Sequence, residues 1–385
     1  MNTYFSSEFK LGVLGAGQLG KMLFQECLKW DIQTLMLDPD PKAPCAAYTD
    51  TFVQGNLQDF ETVYQFGKTV DVLTIEIENV NLEALKKLQD EGVKIYPSPD
   101  TLENITSKAK QKIFYQENEI PTADFLIFEN KSALQEAITS NTLSLPFVWK
   151  AATGGYDGKG VSVIKTIEDL TKLPDTTCVA EHLVAFEKEL AITIARNPSG
   201  QVKAFPVVEM EFHPTANQVE YVLCPANICS EITQKATEIA TKVSKTFQHV
   251  GLLAIEMFLT KDGDILVNEV APRPHNSGHL SIEANYVNQF EQHLRAVLDL
   301  TLGDTRLKAP AVMINLVGEE GYTGNVYYKG IEKCLELNGV TPHIYGKKHT
   351  KPFRKMGHIT ITAPSLEEAR QTAQKVKEHI CVITQ

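Results

Sequence analysis

A chain of mixed α/β and α+β regions is what these 385 residues predict, and three observations carry the prediction. From Lys10 to about Pro99, apolar strands alternate with helical stretches, the pattern of a parallel, doubly wound sheet. From Asp100 to about Val287, short strands and helices mix, and two apolar runs flank the hairpin signal Asp262-Gly263. After Gly303, the strand patterns AVMINLVG and HITITAP are closed by one helix. Three compact regions follow, at 1–100, 101–298 and 299–385.

The elements read in order. LGVLGAG is a first strand running into glycines, followed by a helix from Met22 to Trp30 and a second strand, TLMLD. DVLTIEIE, a helix from Leu82 to Asp90 and VKIYP complete the first region. A helix is expected over Asp100 to Asn118, before Ile120-Pro121. Glu231 to His249 and Asn288 to Leu300 carry apolar residues at helical spacing, as does Leu366 to His379.

Composition bounds the function. With 43% hydrophobic and 22% charged residues the chain has a globular composition, and a net charge of −11 opposes binding to nucleic acid or an anionic membrane. The seven cysteines are scattered and form no C-x-x-C pair, which argues against a disulfide framework or zinc knuckle. No apolar run approaches the roughly 18 residues that span a bilayer, and no secretory h-region follows the start. The expectation is a cytoplasmic protein.

Four motifs carry chemistry. Gly15-Ala-Gly17-Gln18-Leu19-Gly20 follows a strand and opens a helix, with Asp38 ending the next strand. That is a dinucleotide-binding fingerprint, since its backbone N–H groups can meet a phosphate, although a tight turn without a ligand has the same sequence. Lys150-Ala-Ala-Thr-Gly154-Gly155-Tyr156-Asp157-Gly158-Lys159-Gly160 lies between an apolar run and a β-branched run, as a strand–loop–strand flap without the GK[ST] of a P-loop. Such a flap can close over a polyphosphate, or be only a flexible hairpin.

The third motif is LLAIEMFLTKDGDILVNEV. With Asp262-Gly263 as a two-residue loop, Glu256 faces Glu269 with Cβ atoms about 5 Å apart. Facing carboxylates need a shared proton or a cation, and magnesium held with substrate phosphates is the natural occupant. Strict alternation turns Asn268 to the other face, so a twist or a bulge is needed to bring it to the same ligand. The fourth motif, Ala271-Pro272-Arg273-Pro274-His275-Asn276-Ser277-Gly278-His279, suits a small anion because Arg273 offers a planar fork. A basic cluster, Lys347-Lys348 and Arg354-Lys355, is either a solvated charge run or a second phosphate site.

These motifs resemble, in order, the N5-carboxyaminoimidazole ribonucleotide synthetases of the ATP-grasp superfamily: GVLGAGQLGKML, TGGYDGKGV, NEVAPRPHNSGH and RKMGHIT. The resemblance runs from about Leu11 to Thr362 and implies a Rossmann-like N-terminal domain, a central ATP-grasp domain of two subdomains and a small C-terminal domain. It implies a ligase that uses ATP and Mg2+ to carboxylate 5-aminoimidazole ribonucleotide with bicarbonate in purine (IMP) biosynthesis, as a homodimer. Lys108 and Lys150 would contact phosphates, and Gly155 through Val161, with Gly158, Lys159 and Gly160, would cover them. Glu181, His182, Leu183 and Val184 would flank adenine, Glu189 would take the ribose, and His213, Asn268 and Glu269 would complete the ATP pocket. Glu256 and Glu269 would bind the metal. Gly17, Gln18, Leu19, Glu78, Tyr156, Asp157, Arg273, Lys347 and Arg354 would hold the ribonucleotide, and Lys150, Asp157, Arg273 and His275 would act in catalysis. Where the family more often has an aromatic between two glutamates, Glu76-Ile77-Glu78 departs, leaving either glutamate as the substrate contact.

Three rival readings compete. A dehydrogenase explains the glycine loop but none of the other motifs. A catalytically silent ATP-grasp protein would have lost a lysine or a metal carboxylate, and both are present. Sibling ATP-grasp enzymes such as formate-dependent glycinamide ribonucleotide transformylase or biotin carboxylase fit the length and the APRPHNSGH loop less well.

Overall fold

The computed structural model describes residues 4–49, 51–154, 160–213 and 218–385. Its first layer is a five-stranded parallel sheet in the order Phe52–Gln54, Gln33–Asp38, Lys10–Leu14, Val72–Ile75, Lys94–Tyr96. Leu11, Val13, Leu14, Leu73 and Ile75 are fully buried, as strands covered by helices on both faces require. The order reverses between Lys10–Leu14 and Val72–Ile75, so the loops leaving these two strands border one crevice. Of DVLTIEIE only Val72–Ile75 is regular strand, and Glu76 and Glu78 lie just beyond its end.

The helix expected over Asp100 to Asn118 is two helices, Pro99–Thr106 and Lys108–Glu117. Ser107 breaks them by taking an extended conformation and capping the second, its side chain accepting from the Lys110 N–H. Lys108 is thereby the first residue of a helix, aimed at the cleft. Next comes a four-stranded antiparallel sheet in the order Phe125–Phe128, Cys178–His182, Phe147–Ala151, Val161–Ile164. Lys150 pairs with Val161, so the glycine-rich segment joins two antiparallel strands as expected of a flap.

A nine-stranded sheet forms the largest layer, in the order Ile265–Ala271, Gly251–Thr260, Phe186–Arg196, Val208–Phe212, Val219–Cys224, Ala311–Val317, Lys355–Thr362, Val340–Ile344, with Val202–Ala204 pairing the long strand Phe186–Arg196. The C-terminal strands thus extend the central sheet, joined by Val219–Cys224 against Ala311–Val317. Arg370 on the last helix, Leu366–His379, makes two bonds to Glu211, at 2.7 and 2.8 Å, which fasten that helix to the central strands.

The hairpin departs from the expected turn. Gly263 N–H donates to Thr260 O and Thr260 N–H to Asp264 O, so Lys261-Asp262-Gly263 form a three-residue loop. Gly263 takes φ +82°, the left-handed conformation that such a loop needs. Up the ladder Met257 faces Val267, one position off the two-residue register, and a bulge at Asn268 restores Glu256 opposite Glu269. Two departures cancel.

Candidate active site

Glu256 and Glu269 sit on one sheet face, and Ala191 faces Glu256 from the other side. Glu189 lies two residues along from Ala191 and therefore points to the same face. Their side chains keep 16% (Glu256) and 40% (Glu269) of their surface, deep in the protein yet open to a cleft. Burial, then the charges of Glu269 and Glu189, raise the Glu256 carboxyl. For Glu269 burial acts in the same sense, but Lys108 and Lys150 outweigh it and hold the group low. Burial raises Glu189 to about 7, against the pull of Lys150.

Lys108 Nζ bonds Glu269, and Lys150 Nζ donates to Asn268 Oδ1 at 2.8 Å. The bulge that corrects the register is what turns Asn268 toward Lys150. Burial lowers the Lys108 amine, yet Glu269, with Glu181 and Glu256 behind it, leaves it raised. Two facing carboxylates with a cation already on one of them suit a hard divalent ion. Among the described residues no group of three or more His, Cys, Asp or Glu could hold a metal. A magnesium here would therefore take its remaining oxygens from phosphate and water, its usual habit.

The glycine loop is occupied by the chain itself. Gly17 and Gly20 N–H groups donate to Glu76 at 2.8 and 3.1 Å, and Ala16 N–H donates to Asp38 at 2.8 Å. A Cβ on Gly15, at φ +100°, would lie 2.5 Å from Glu76 Cγ, so these glycines make room for a buried carboxylate. Four of the N–H groups of the dinucleotide fingerprint, those of Gly15, Ala16, Gly17 and Gly20, are satisfied internally, Gly15 by Leu37 O. The loop instead meets the C-terminal region: Lys347 Nζ donates to Gln18 Oε1 and to Lys355 O.

Arg273 Nε lies 2.8 Å from Glu78 Oε1, which separates the roles of the two glutamates: Glu76 closes the loop and Glu78 holds the arginine. His275 Nδ1 pairs with Ser277 Oγ at 2.9 Å, and its Nε2 lies 3.7 Å from Glu256. Gln289 accepts from the His275 N–H and donates to the His275 carbonyl, fixing the loop. Arg354 is tied by Nη1 to His349 O at 2.7 Å.

Three other expected residues, Leu183, Val184 and His213, lie just past the ends of strands. The strand with Glu181 and His182 ends at His182, so Leu183 and Val184 lie beyond it, and Leu183 is exposed. His213 follows the strand Val208–Phe212, its N–H donating to Gln218 O. Gly155, Tyr156, Asp157, Gly158 and Lys159 lie outside the described residues. Sequence reading missed Lys112, which is buried beside Glu181. Its one available signal is its place one helical turn after Lys108.

Fold and cleft together define an ATP-grasp protein. The ATP-grasp domain family matches residues 113–290, a ribonucleotide synthetase preATP-grasp domain 9–125, and a phosphoribosylaminoimidazole carboxylase C-terminal domain 311–372. The N5-carboxyaminoimidazole ribonucleotide synthetase of Thermotoga maritima is 41% identical, with a TM-score of 0.90 over 98% of this chain and 100% of that one. The Aspergillus clavatus N5-carboxyaminoimidazole synthase, solved with ADP and 5-aminoimidazole ribonucleotide, is 33% identical, with a TM-score of 0.87 over 96% and 98%. The chloroplastic phosphoribosylaminoimidazole carboxylase of Vigna aconitifolia is 37% identical over 93% of this chain, which spans 65% of that longer protein. The chain belongs to the N5-carboxyaminoimidazole ribonucleotide synthetase family.

Proposed function

We propose that this chain is a ligase that carboxylates 5-aminoimidazole ribonucleotide with bicarbonate and ATP, giving N5-carboxyaminoimidazole ribonucleotide, ADP and phosphate in purine biosynthesis. The observation that carries the reading is the facing pair Glu256–Glu269 with Lys108 and Lys150 beside it in one cleft. Bacterial-length relatives are matched end to end, and a relative solved with ADP and the aminoimidazole ribonucleotide supports the substrate class.

Glu256 and Glu269 would hold Mg2+, which when bound neutralises charge on the transferring phosphoryl group. Lys108 and Lys150 supply positive charge to the same phosphates. Arg273, its guanidinium steadied by Glu78, presents a fork to bicarbonate beside His275. A bicarbonate oxygen attacks the γ-phosphorus and the bond to ADP breaks, giving carboxyphosphate. That species releases phosphate and carbon dioxide, and the substrate amine adds to the carbon while its proton passes to Asp157. Gly155 through Val161, expected to cover the phosphates, would keep water from the labile intermediate. Lys347 and Arg354, with Gln18 near Lys347, would hold the ribonucleotide phosphate, an assignment supported by the contact between the first loop and the basic cluster.

The reading carries two further expectations, a reducing cytoplasm and a homodimer. The first is supported by seven unpaired cysteines, and light scattering checks the second. Among the described residues, no helix is long and apolar enough to cross a membrane. The test of the activity is phosphate release from MgATP with bicarbonate or ribonucleotide omitted in turn. Release should require both, and release that ignores the ribonucleotide would sink the assignment.

A further inference from the structure

Lys112 is a lysine with almost no water: its side chain is 3% exposed. It lies 3.2 Å from Glu181 Oε1, and Lys150 Nζ lies 2.9 Å from the same oxygen. Two buried ammonium groups thus share one carboxylate. Burial pulls the Lys112 amine down to about 8, Glu181 opposes that, and Lys150 adds to it. Burying charge in this way seldom adds stability, because apolar side chains of similar volume often do as well or better. The charge therefore points to a role in placing something else.

The geometry shows what is placed. Lys112 Nζ also donates to Thr122 Oγ1 at 2.6 Å, and that hydroxyl donates to Val267 O at 2.7 Å. Val267 N–H in turn donates to Pro121 O, so the segment Pro121-Thr122 lies along the strand Ile265–Ala271 beside the bulge. The next residue is Asn268, whose side chain accepts from Lys150. The path from Lys112 through Thr122, Val267, Asn268, Lys150 and Glu181 returns to Lys112. This closed ring joins the helix Lys108–Glu117 and the four-stranded sheet to the strand that carries Glu269.

We infer that Lys112 is a positioning residue for nucleotide binding: it fixes Glu181 and, through Thr122, the bulge at Asn268, so that Lys150 is aimed at the phosphates across the cleft. The inference rests on the reading of Lys150 as a phosphate contact. Lys112 itself stays enclosed and does not reach the cleft. A ring has a property that separate contacts lack: opening it at one point removes most of what opening it at a second point can remove.

The test uses the full chain with Lys112→Met, of similar length but uncharged, Thr122→Val, of similar volume, and the double variant. Magnesium-ADP binding is measured by calorimetry, and KM for ATP and for the ribonucleotide by steady-state kinetics. Lys112→Met should weaken ADP binding by about tenfold, and the double variant should be no weaker than Lys112→Met alone. KM for ATP should rise in parallel while KM for the ribonucleotide moves less than about twofold, a split that general loosening of the fold would not produce. Unchanged ADP affinity in the folded variants, additive losses, or equal rises in both KM values would overturn the inference. If Lys112→Met does not fold, Thr122→Val keeps both lysines and decides by the same readouts. ADP binding needs neither bicarbonate nor ribonucleotide, so wild-type protein that binds ADP without ribonucleotide-dependent turnover would refute the substrate assignment and leave this inference in place.

Discussion

At the scale of the residue, Glu256 and Glu269 are two carboxylates on one sheet face, and their environments push them apart. Burial and two acidic neighbours favour a proton on Glu256, while Lys108 and Lys150 keep Glu269 ionised. A divalent cation held by the pair would offset that repulsion and favour the ionised form of Glu256. Glu269→Gln should therefore lower kcat by at least about a hundredfold, with unchanged circular dichroism and thermal midpoint within a few degrees. Near-full activity would remove the metal role. This pair was legible in the sequence because a hairpin's register places residues across a ladder. The partner of the glycine loop was not legible. Glu76 reaches Gly17 from 59 positions away, and nothing local distinguishes a loop that encloses a carboxylate from one that binds a phosphate.

At the scale of the element, the hairpin Gly251–Thr260 and Ile265–Ala271 holds its register at the bulge and not at the turn. A two-residue loop and a three-residue loop with one bulge give the same partner for Glu256, which is why the expected pair was right although its turn was not. Gly263 at φ +82° has room for a methyl group, the nearest atom being Ile232 Cδ1 at 3.7 Å, so Gly263→Ala meets backbone strain alone. It should cost about 1 kcal/mol in urea unfolding and leave magnesium-dependent ATP turnover intact. Loss of turnover in that variant would mean that the turn sets the register. The break at Ser107 was hidden for a related reason: Ser98 and Ser107 each cap a helix, and a run of helix-compatible residues does not show which cap interrupts it.

At the scale of the whole molecule, buried histidines tie the regions together. Leu252 N–H donates to His293 Nδ1 at 3.1 Å, which leaves the proton on Nε2 to reach Thr74 Oγ1 at 2.9 Å, linking the central strand to the N-terminal sheet. Burial, with a smaller push from His249, lowers His293 to about 3, and burial lowers His249 to about 4. Below the unfolded value of about 6.5, the unfolded chain takes up protons that the folded chain refuses, so this stability is present above pH 6.5 and is lost as pH falls toward 4 and 3. Each such histidine adds a slope of about 1.4 kcal/mol per pH unit in that window. His293→Gln should be less stable at pH 7.5 but lose less between pH 6 and 5 than wild type, as read from urea midpoints. An equal slope would contradict the assignment. The alternation that revealed the parallel sheet could not show that the C-terminal strands continue the central one, since that joint depends on Val219–Cys224 meeting Ala311–Val317 nearly 90 residues later.

In the proposed reaction, ATP activates bicarbonate by direct phosphoryl transfer in the cleft of Lys108, Lys150, Glu256 and Glu269. Turnover with 18O-labelled bicarbonate, read by mass spectrometry of the product phosphate, tests it most directly. Direct transfer should leave one 18O atom in each phosphate released, carried over when carboxyphosphate breaks down. Phosphate free of label, with carboxylated ribonucleotide still formed, would contradict it.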